Sequence, residues 1–189
     1  MIKDLVYQCR SYRRFYEDCR MDEATLKELV DLARMTASTA NSQALKYRLA
    51  VTKEECENLF PHIFWAGALT DWPGPEEGQR PSGYILICCD RMLGSNKLWD
   101  EGIAAQTILL GAVEKGFGGC MIGSFKREEA AKAMGIDLER YSLDLIVALG
   151  KPKETVKIVP LKEDGDVRYY RDENQIHYVP KRKLEDIII

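Results

Sequence analysis

Apolar residues recur along the chain at several periods, and each period predicts a different element. Residues 102–113, G-I-A-A-Q-T-I-L-L-G-A-V, carry no charge on any face. A helix that is apolar all round must be covered on all sides, so this segment is expected to lie within protein. Gly102, Ala104, Ala105, Gly111 and Ala112 keep parts of its surface thin, which suits close approach by another helix of this chain or of a second copy. The run is well short of the ~20 apolar residues that cross a bilayer, and Asp100, Glu101, Glu114 and Lys115 close it at both ends, so no membrane span is expected there. Gly116 should stop the helix. Cys120, Met121 and Ile122 then read as a short buried strand, and Gly123 and Ser124 as a turn whose backbone N–H groups are free to face a ligand.

The rest of the pattern predicts helices and strands in alternation. Ile2, Leu5 and Val6 suggest one or two helical turns. Asp22 is a good N-cap, and Leu26, Leu29, Val30 and Ala33 recur behind it at helical spacing. Residues 36–43, T-A-S-T-A-N-S-Q, read as a polar loop, 47–52 as a strand and 53–60 as a short helix. The continuous apolar run Y-I-L-I-C-C at 84–89 suits a central strand buried on both faces. A helix at 127–134 ended by Gly135, and a strand at 143–149 bounded by Gly150 and Pro152, complete the middle section. Residues 65–83 hold Trp72-Pro73-Gly74-Pro75, Gly78 and Pro81, and read as a loop over a pocket mouth. Residues 156–175 are charged and poorly periodic, and the apolar patches 176–179 and 186–189 are separated by Lys181-Arg182-Lys183. A terminus this apolar needs a surface to bind, and another subunit is one candidate. Helices packed on a sheet give an α/β or α+β class, in a single domain with no repeat or linker.

Charge and composition narrow the functional classes. A net charge of −3 over 189 residues offers no basic face for nucleic acid. Six cysteines without C-x-x-C spacing read as cytosolic thiols rather than a disulfide framework, and the N-terminus has no signal-peptide pattern, so a cytoplasmic location is expected. The two histidines, His62 and His177, lie in no metal-ligand spacing, and metal catalysis has no support. Gly116, Gly118 and Gly119 lead to Met121 where a dinucleotide fingerprint wants its third glycine, so no separate dinucleotide-binding domain is expected. Cys120 reads as an inert strand cysteine. Trp65 and Trp72 could stack on a substrate or simply pack. Two basic clusters, Arg10-Ser11-Tyr12-Arg13-Arg14 and Lys181-Arg182-Lys183, could meet on one phosphate, whose oxygens suit guanidinium forks and a serine hydroxyl.

Taken in order, Arg-Ser-x-Arg-x-Phe near the start, Asn-Ser-Gln after the first long helix, G-I-A-A-Q-T-I-L-L running into G-F-G-G-C-M-I-G, then A-L-G-K-P and a final P-K-R-K-L-E-D-I-I make a sequence that resembles the FMN-dependent nitroreductase family over nearly its whole length. The resemblance implies an α+β fold with a sheet flanked by helices, a long buried helix at a homodimer interface, FMN at the subunit boundary, and residues 156–189 as a C-terminal arm reaching the partner. It implies that Arg10 and Ser11, with Tyr12 beside them, hold the FMN phosphate. Arg13 would face the pyrimidine edge of the ring and stabilise charge on reduced flavin. Asn41 and Gln43 would lie near the ring and ribityl chain, and Met121, Ile122, Gly123 and Ser124 would pass the N5 edge. Lys181 and Arg182, with Lys183 as an alternative, would complete the phosphate site, the two ends of the chain coming from different copies. The activity implied is hydride transfer from NAD(P)H to a small electron-poor acceptor, a nitroaromatic or a quinone, in ping-pong order; a flavin-binding sensor, or a relative that uses reduced flavin with oxygen, is the alternative. Cys9, Ala44-Leu45 and Gly123 depart from residues common in the family, and the segment 51–83 is too short for its extra helical lid.

Overall fold

The structure, a computed structural model, describes residues 1–94 and 98–189. Its elements in chain order are α1 (Ile2–Gln8), β1 (Phe15–Tyr16), α2 (Glu23–Arg34), β2 (Leu45–Ala50), α3 (Lys53–Leu59), β3 (Gly83–Asp90), α4 (Leu98–Glu114), β4 (Gly118–Ile122), α5 (Arg127–Ala133), β5 (Tyr141–Pro152), β6 (Val156–Pro160), β7 (Tyr170–Arg171) and β8 (His177–Lys181). The central sheet is antiparallel throughout: β5 pairs with β1, β3 and β4, and β3 with β2. The α+β class follows, with helices on both sides of this sheet.

The alternation of β-strand side chains explains the continuous apolar run in β3, all of which is buried. Tyr84, Leu86 and Cys88 point to one layer, where Ala50, Leu59, Ala130, Met134 and Ile146 meet them from β2, α3, α5 and β5. Ile85 and Ile87 point to the other, among Leu26, Leu29, Ala105, Ile108 and Val147 from α2, α4 and β5. Asp22 caps α2 by accepting from the Thr25 N–H at 2.7 Å. Thr52 and Glu55 form a reciprocal capping box on α3.

Helix α4 answers two expectations differently. A Cβ on Gly111 would come within 2.6 Å of Leu32 Cδ1 and 3.0 Å of Leu29 Cδ2, so this glycine sets the close approach of α4 to α2 of the same chain. Gly102 has open space beside it. The helix is therefore not covered all round by its own chain: Trp99 is 62% and Ile103 41% exposed on the uncovered side. Gly116 ends α4 at φ +77°, a conformation few residues other than glycine adopt freely.

The C-terminal third is more ordered than its weak periodicity suggests. β6 and β8 pair in parallel and β7 pairs antiparallel to β8, giving a small second sheet. It binds its own chain through Glu154, Arg171 and Tyr169, and the end beyond β8 leaves Leu184, Ile187, Ile188 and Ile189 more than 60% exposed. The proline-rich loop also folds inward: Trp65 is buried and packs under Gly74, and the Trp72 ring lies under the guanidinium groups of Arg14 and Arg171, at 5.5 and 4.2 Å. In this chain both rings pack against protein.

Candidate functional site

The segment after α1 is stitched to the sheet by its backbone, and that leaves its cationic side chains free to line a hollow. Ser11 forms a parallel bridge with Gly119 of β4, and the Tyr12 N–H donates to the Gly119 carbonyl at 2.9 Å. The Arg13 N–H donates to Glu154 Oε1 at 2.5 Å, and Lys153 N–H to the Arg14 carbonyl at 2.9 Å. No side chain fits at Gly119: a Cβ there would overlap the Ala148 carbonyl oxygen. Tyr12 lies over Gly118 and donates its hydroxyl to the Gln8 carbonyl at 3.0 Å. Arg10 donates from Nη2 to the Val6 carbonyl at 2.7 Å, whereas its Nε is buried with no hydrogen-bond partner.

Across the hollow stands β8. Alternation along that strand puts His177, Val179 and Lys181 on one face, and these three, with Tyr169, wall a space of about 270 Å³ opposite Cys9, Arg10, Ser11 and Arg13. The two basic clusters thus converge, but within one chain; the expectation that they come from different copies is corrected. The physical reason is the second sheet, which folds back onto its own body. The same alternation explains why Lys181 lines the hollow and Arg182, one residue on, is exposed outside it with Lys183.

A buried charge cluster supports this wall. Glu154, its side chain 2% exposed, pairs at 2.9 Å with Arg171, 8% exposed. The Arg13 guanidinium lies 4.9 Å from the centre of the Tyr169 ring and donates to the Ser11 carbonyl at 3.3 Å. Arg14 donates to Gln175 Oε1 at 2.8 Å. His177 is 1% exposed, its Nδ1 has no partner, and its ring lies 5.2 Å from that of Tyr169. Burial pushes this imidazole down to about 4; the Glu154 carboxylate opposes that shift, while Arg13, Arg171 and Arg14 add to it. All six cysteines are free, and burial raises the thiols of Cys9, Cys56, Cys88, Cys89 and Cys120, that of Cys88 to about 12. A raised thiol is a poor nucleophile, so the inert reading of Cys120 is the one the geometry supports.

The remaining candidates fall in two places. Met121 and Ile122 end β4, opposite Val147 and Ile146, and Gly123 and Ser124 follow as exposed residues. The Ser124 carbonyl accepts from the Phe64 N–H at 3.0 Å. At ~3.3 Å per strand residue, Gly123 lies roughly 13 Å along β4 from Gly119, so only an elongated ligand could touch both the cationic hollow and this turn. Asn41 and Gln43 do not reach the hollow in this chain. Gln43 lines a separate space of about 350 Å³ with Arg34, Thr36, Ser38, Tyr47 and Asp100. Ala40, Asn41 and Gln43 have φ of 50°, 53° and 51°, a strained run that Asp100 holds by accepting from Thr39 N–H at 3.0 Å and Thr39 Oγ1 at 2.8 Å.

Tyr169, His177, Glu154 and Arg171 are the residues of this region that the sequence reading missed. Glu154 and Arg13 are 141 residues apart, and no local spacing could have joined them. Only the strand period of 177–181, which sets His177 in line with Lys181, carried a signal. Among the described residues no group of three or more His, Cys, Asp or Glu is placed to hold a metal, and no helix is long and apolar enough to cross a membrane.

The antiparallel sheet and its flanking helices have the fold of solved nitroreductase family structures. In sequence, residues 94–151 match the model of the Nitroreductase family. A relative from Archaeoglobus fulgidus named "Putative NADH dehydrogenase/NAD(P)H nitroreductase" is 27% identical over 158 residues, covering 79% of this chain and 84% of its own. The structure of a nitroreductase family protein from Streptococcus pneumoniae superposes with a TM-score of 0.69 at 14% identity, covering 100% of this chain and 99% of that one. An FMN-dependent nitroreductase from Clostridium difficile gives 0.64 at 22% identity, covering 92% and 99%. By fold the chain is of the nitroreductase type, and in sequence residues 94–151 are similar to that family.

Proposed function

We propose that the chain is an FMN-dependent oxidoreductase that takes reducing equivalents from NAD(P)H and delivers them to a small electron-poor acceptor such as a nitroaromatic or a quinone. One observation carries the reading: Arg10, Ser11, Arg13 and Lys181 meet at one hollow, beside a strand that leads to an exposed glycine-serine turn. Two cationic side chains and a hydroxyl, Arg10, Lys181 and Ser11, suit a phosphate monoester, and Arg10 and His177, which line the hollow, each carry a buried nitrogen that lacks a protein partner. The residues fit the phosphate end of FMN. FMN, when bound, supplies the chemistry of accepting a hydride from NAD(P)H and passing electrons on.

The chain's own residues bind and orient. Arg10, Ser11 and Lys181 hold the phosphate, with Tyr12 fixing the loop and Arg182 at the rim. Arg13, anchored by Glu154 through its backbone, presents positive charge to the ring end. Met121, Ile122, Gly123 and Ser124 run along the ring edge. A second copy completes the site. The exposed apolar stripe of α4 and the isoleucines beyond β8 offer it a surface, and the strained turn with Asn41 and Gln43 is then brought to the flavin across a homodimer boundary. Ile103→Arg on that stripe should yield a monomer in sedimentation and weaken FMN binding at least tenfold; a dimer with unchanged affinity would count against this arrangement. Six unpaired thiols suit a reducing compartment, and the cytoplasm is the proposed location.

The direct test is optical. Purified protein should be yellow, bleach on adding NADH or NADPH without oxygen, and regain colour with a quinone. Double-reciprocal plots with NAD(P)H and quinone should be parallel, because donor and acceptor use one pocket in turn. A colourless protein that gains nothing from added FMN would exclude the reading, and intersecting lines would exclude the shared pocket.

A further inference from the structure

His177 stands apart from the other residues around the hollow. It is an uncharged polar side chain, 99% buried by the complement of its 1% exposure, set in the wall among cations, and its Nδ1 bonds to nothing. Buried polar atoms are rarely left without a partner, so an orphan on a residue that lines a ligand-sized space points to something that completes it. The groups facing it are Arg13 and Arg14 from the first segment, Glu154 from the link between β5 and β6, Arg171 from β7, and Tyr169. Cys9, Arg10 and Lys181 line the same hollow. With no anion bound, three arginines and burial all disfavour a charge on the imidazole, and Glu154 is engaged by Arg171 and the Arg13 backbone.

We propose that His177 is the proton-accepting wall of the phosphate hollow, neutral without an anion and protonated when a phosphate dianion enters. The inference rests on the reading of this hollow as the FMN phosphate site. Imidazole has two nitrogens, and only its protonated form makes both of them donors. A dianion supplies the acceptor that the wall lacks and cancels the field of the arginines, so the proton taken from solvent goes to His177 as the phosphate arrives. FMN binding is then coupled to proton uptake, and affinity rises as pH falls, from above the bound-state pKa of His177 down to the onset of phosphate protonation, near pH ~6. The flavin-free protein shows the converse. A folded-state histidine held at about 4, below its ordinary 6.5, leaves the unfolded chain with the greater proton affinity. Its contribution to stability is present above about 6.5 and is lost as pH falls towards 4.

The test uses the full chain freed of flavin and titrated at pH 7 with FMN, with riboflavin and with inorganic phosphate, in buffers of different ionisation enthalpy. At this pH a phosphate monoester with second pKa ~6 has on the order of 0.1 proton left to release, so uptake reports on the protein. The expected result is uptake of roughly half a proton or more per FMN, almost none with riboflavin, and loss of the uptake in His177→Asn and His177→Gln. Imidazole NMR of the unsubstituted protein gives the same answer without a variant, since His62 is the only other histidine: the His177 pKa should rise by at least ~3 units with FMN or phosphate. FMN bound more tightly than riboflavin, with uptake absent or unchanged in both variants, would overturn the role of His177 and leave the phosphate site standing. FMN bound no more tightly than riboflavin would remove the phosphate site and this inference with it.

Discussion

Arg10→Glu is expected to lower FMN affinity by about 10²–10³-fold while the far-ultraviolet circular dichroism and the riboflavin affinity stay near those of the unsubstituted protein. Arg10 lines the hollow, and its Nε has no protein partner to lose. A hydrogen bond to a charged group contributes about 1.5–3 kcal/mol, and a carboxylate in its place adds repulsion of the phosphate. Each ~1.4 kcal/mol is a factor of ten in affinity. The side-chain hydrogen bond that Arg10 makes to protein, to the Val6 carbonyl, closes the exposed end of α1, so the fold should survive its loss. Fluorescence quenching on titration with FMN and with riboflavin measures the effect. Equal losses for the two ligands would mean that the phosphate is not held by Arg10.

The second large effect is expected at Glu154. Glu154→Ala should destabilise the protein by about 3–5 kcal/mol, because it leaves the Arg171 guanidinium charged, nearly buried and without its carboxylate. For a chain of this length each kcal/mol moves the melting temperature by about 2–4 °C, so the midpoint should fall by roughly 10 °C. The Arg13 N–H loses its acceptor as well, so the loop that carries Arg13 should loosen and FMN should bind more weakly in the variant. Glu154→Gln keeps an acceptor for that N–H and separates the two effects: stability should fall, with a smaller loss of affinity. Adding Arg171→Met to Glu154→Ala should recover much of the lost stability, since the uncompensated charge goes with it. A midpoint that moves by only a degree or two in Glu154→Ala would show that water reaches the pair.

What the sequence revealed depended on range. Periodicity found α2 through Asp22 and the Leu26, Leu29, Ala33 face, found β3 through its unbroken apolar run, and placed the stops at Gly116 and Gly135. These are local signals, set by neighbours within a few residues. The basic clusters were legible as candidates for a common anion because charge needs no register to be noticed. Their meeting within one chain was not legible, because it depends on β8 lying beside β6 and β7, three short strands whose sequences are charged and irregular. Period two along β8 would have separated Lys181 from Arg182 had the strand been recognised. For Trp72 the sequence left stacking on a substrate and packing both open, and two arginines from distant segments claim its ring.

The placement of β5 governs the order in which the molecule can assemble. β1 pairs with its far end, Phe15 opposite Pro152 and Tyr16 opposite Lys151, so the stretch carrying Arg10 and Arg13, bridged at Ser11 to Gly119, is fixed at both ends only once residue 152 has been synthesised. Glu154, Tyr169, His177 and Lys181 emerge later still. On a ribosome the cationic hollow therefore cannot close before Lys181 has emerged, so an incomplete polypeptide lacks the wall that faces Arg10 and Ser11.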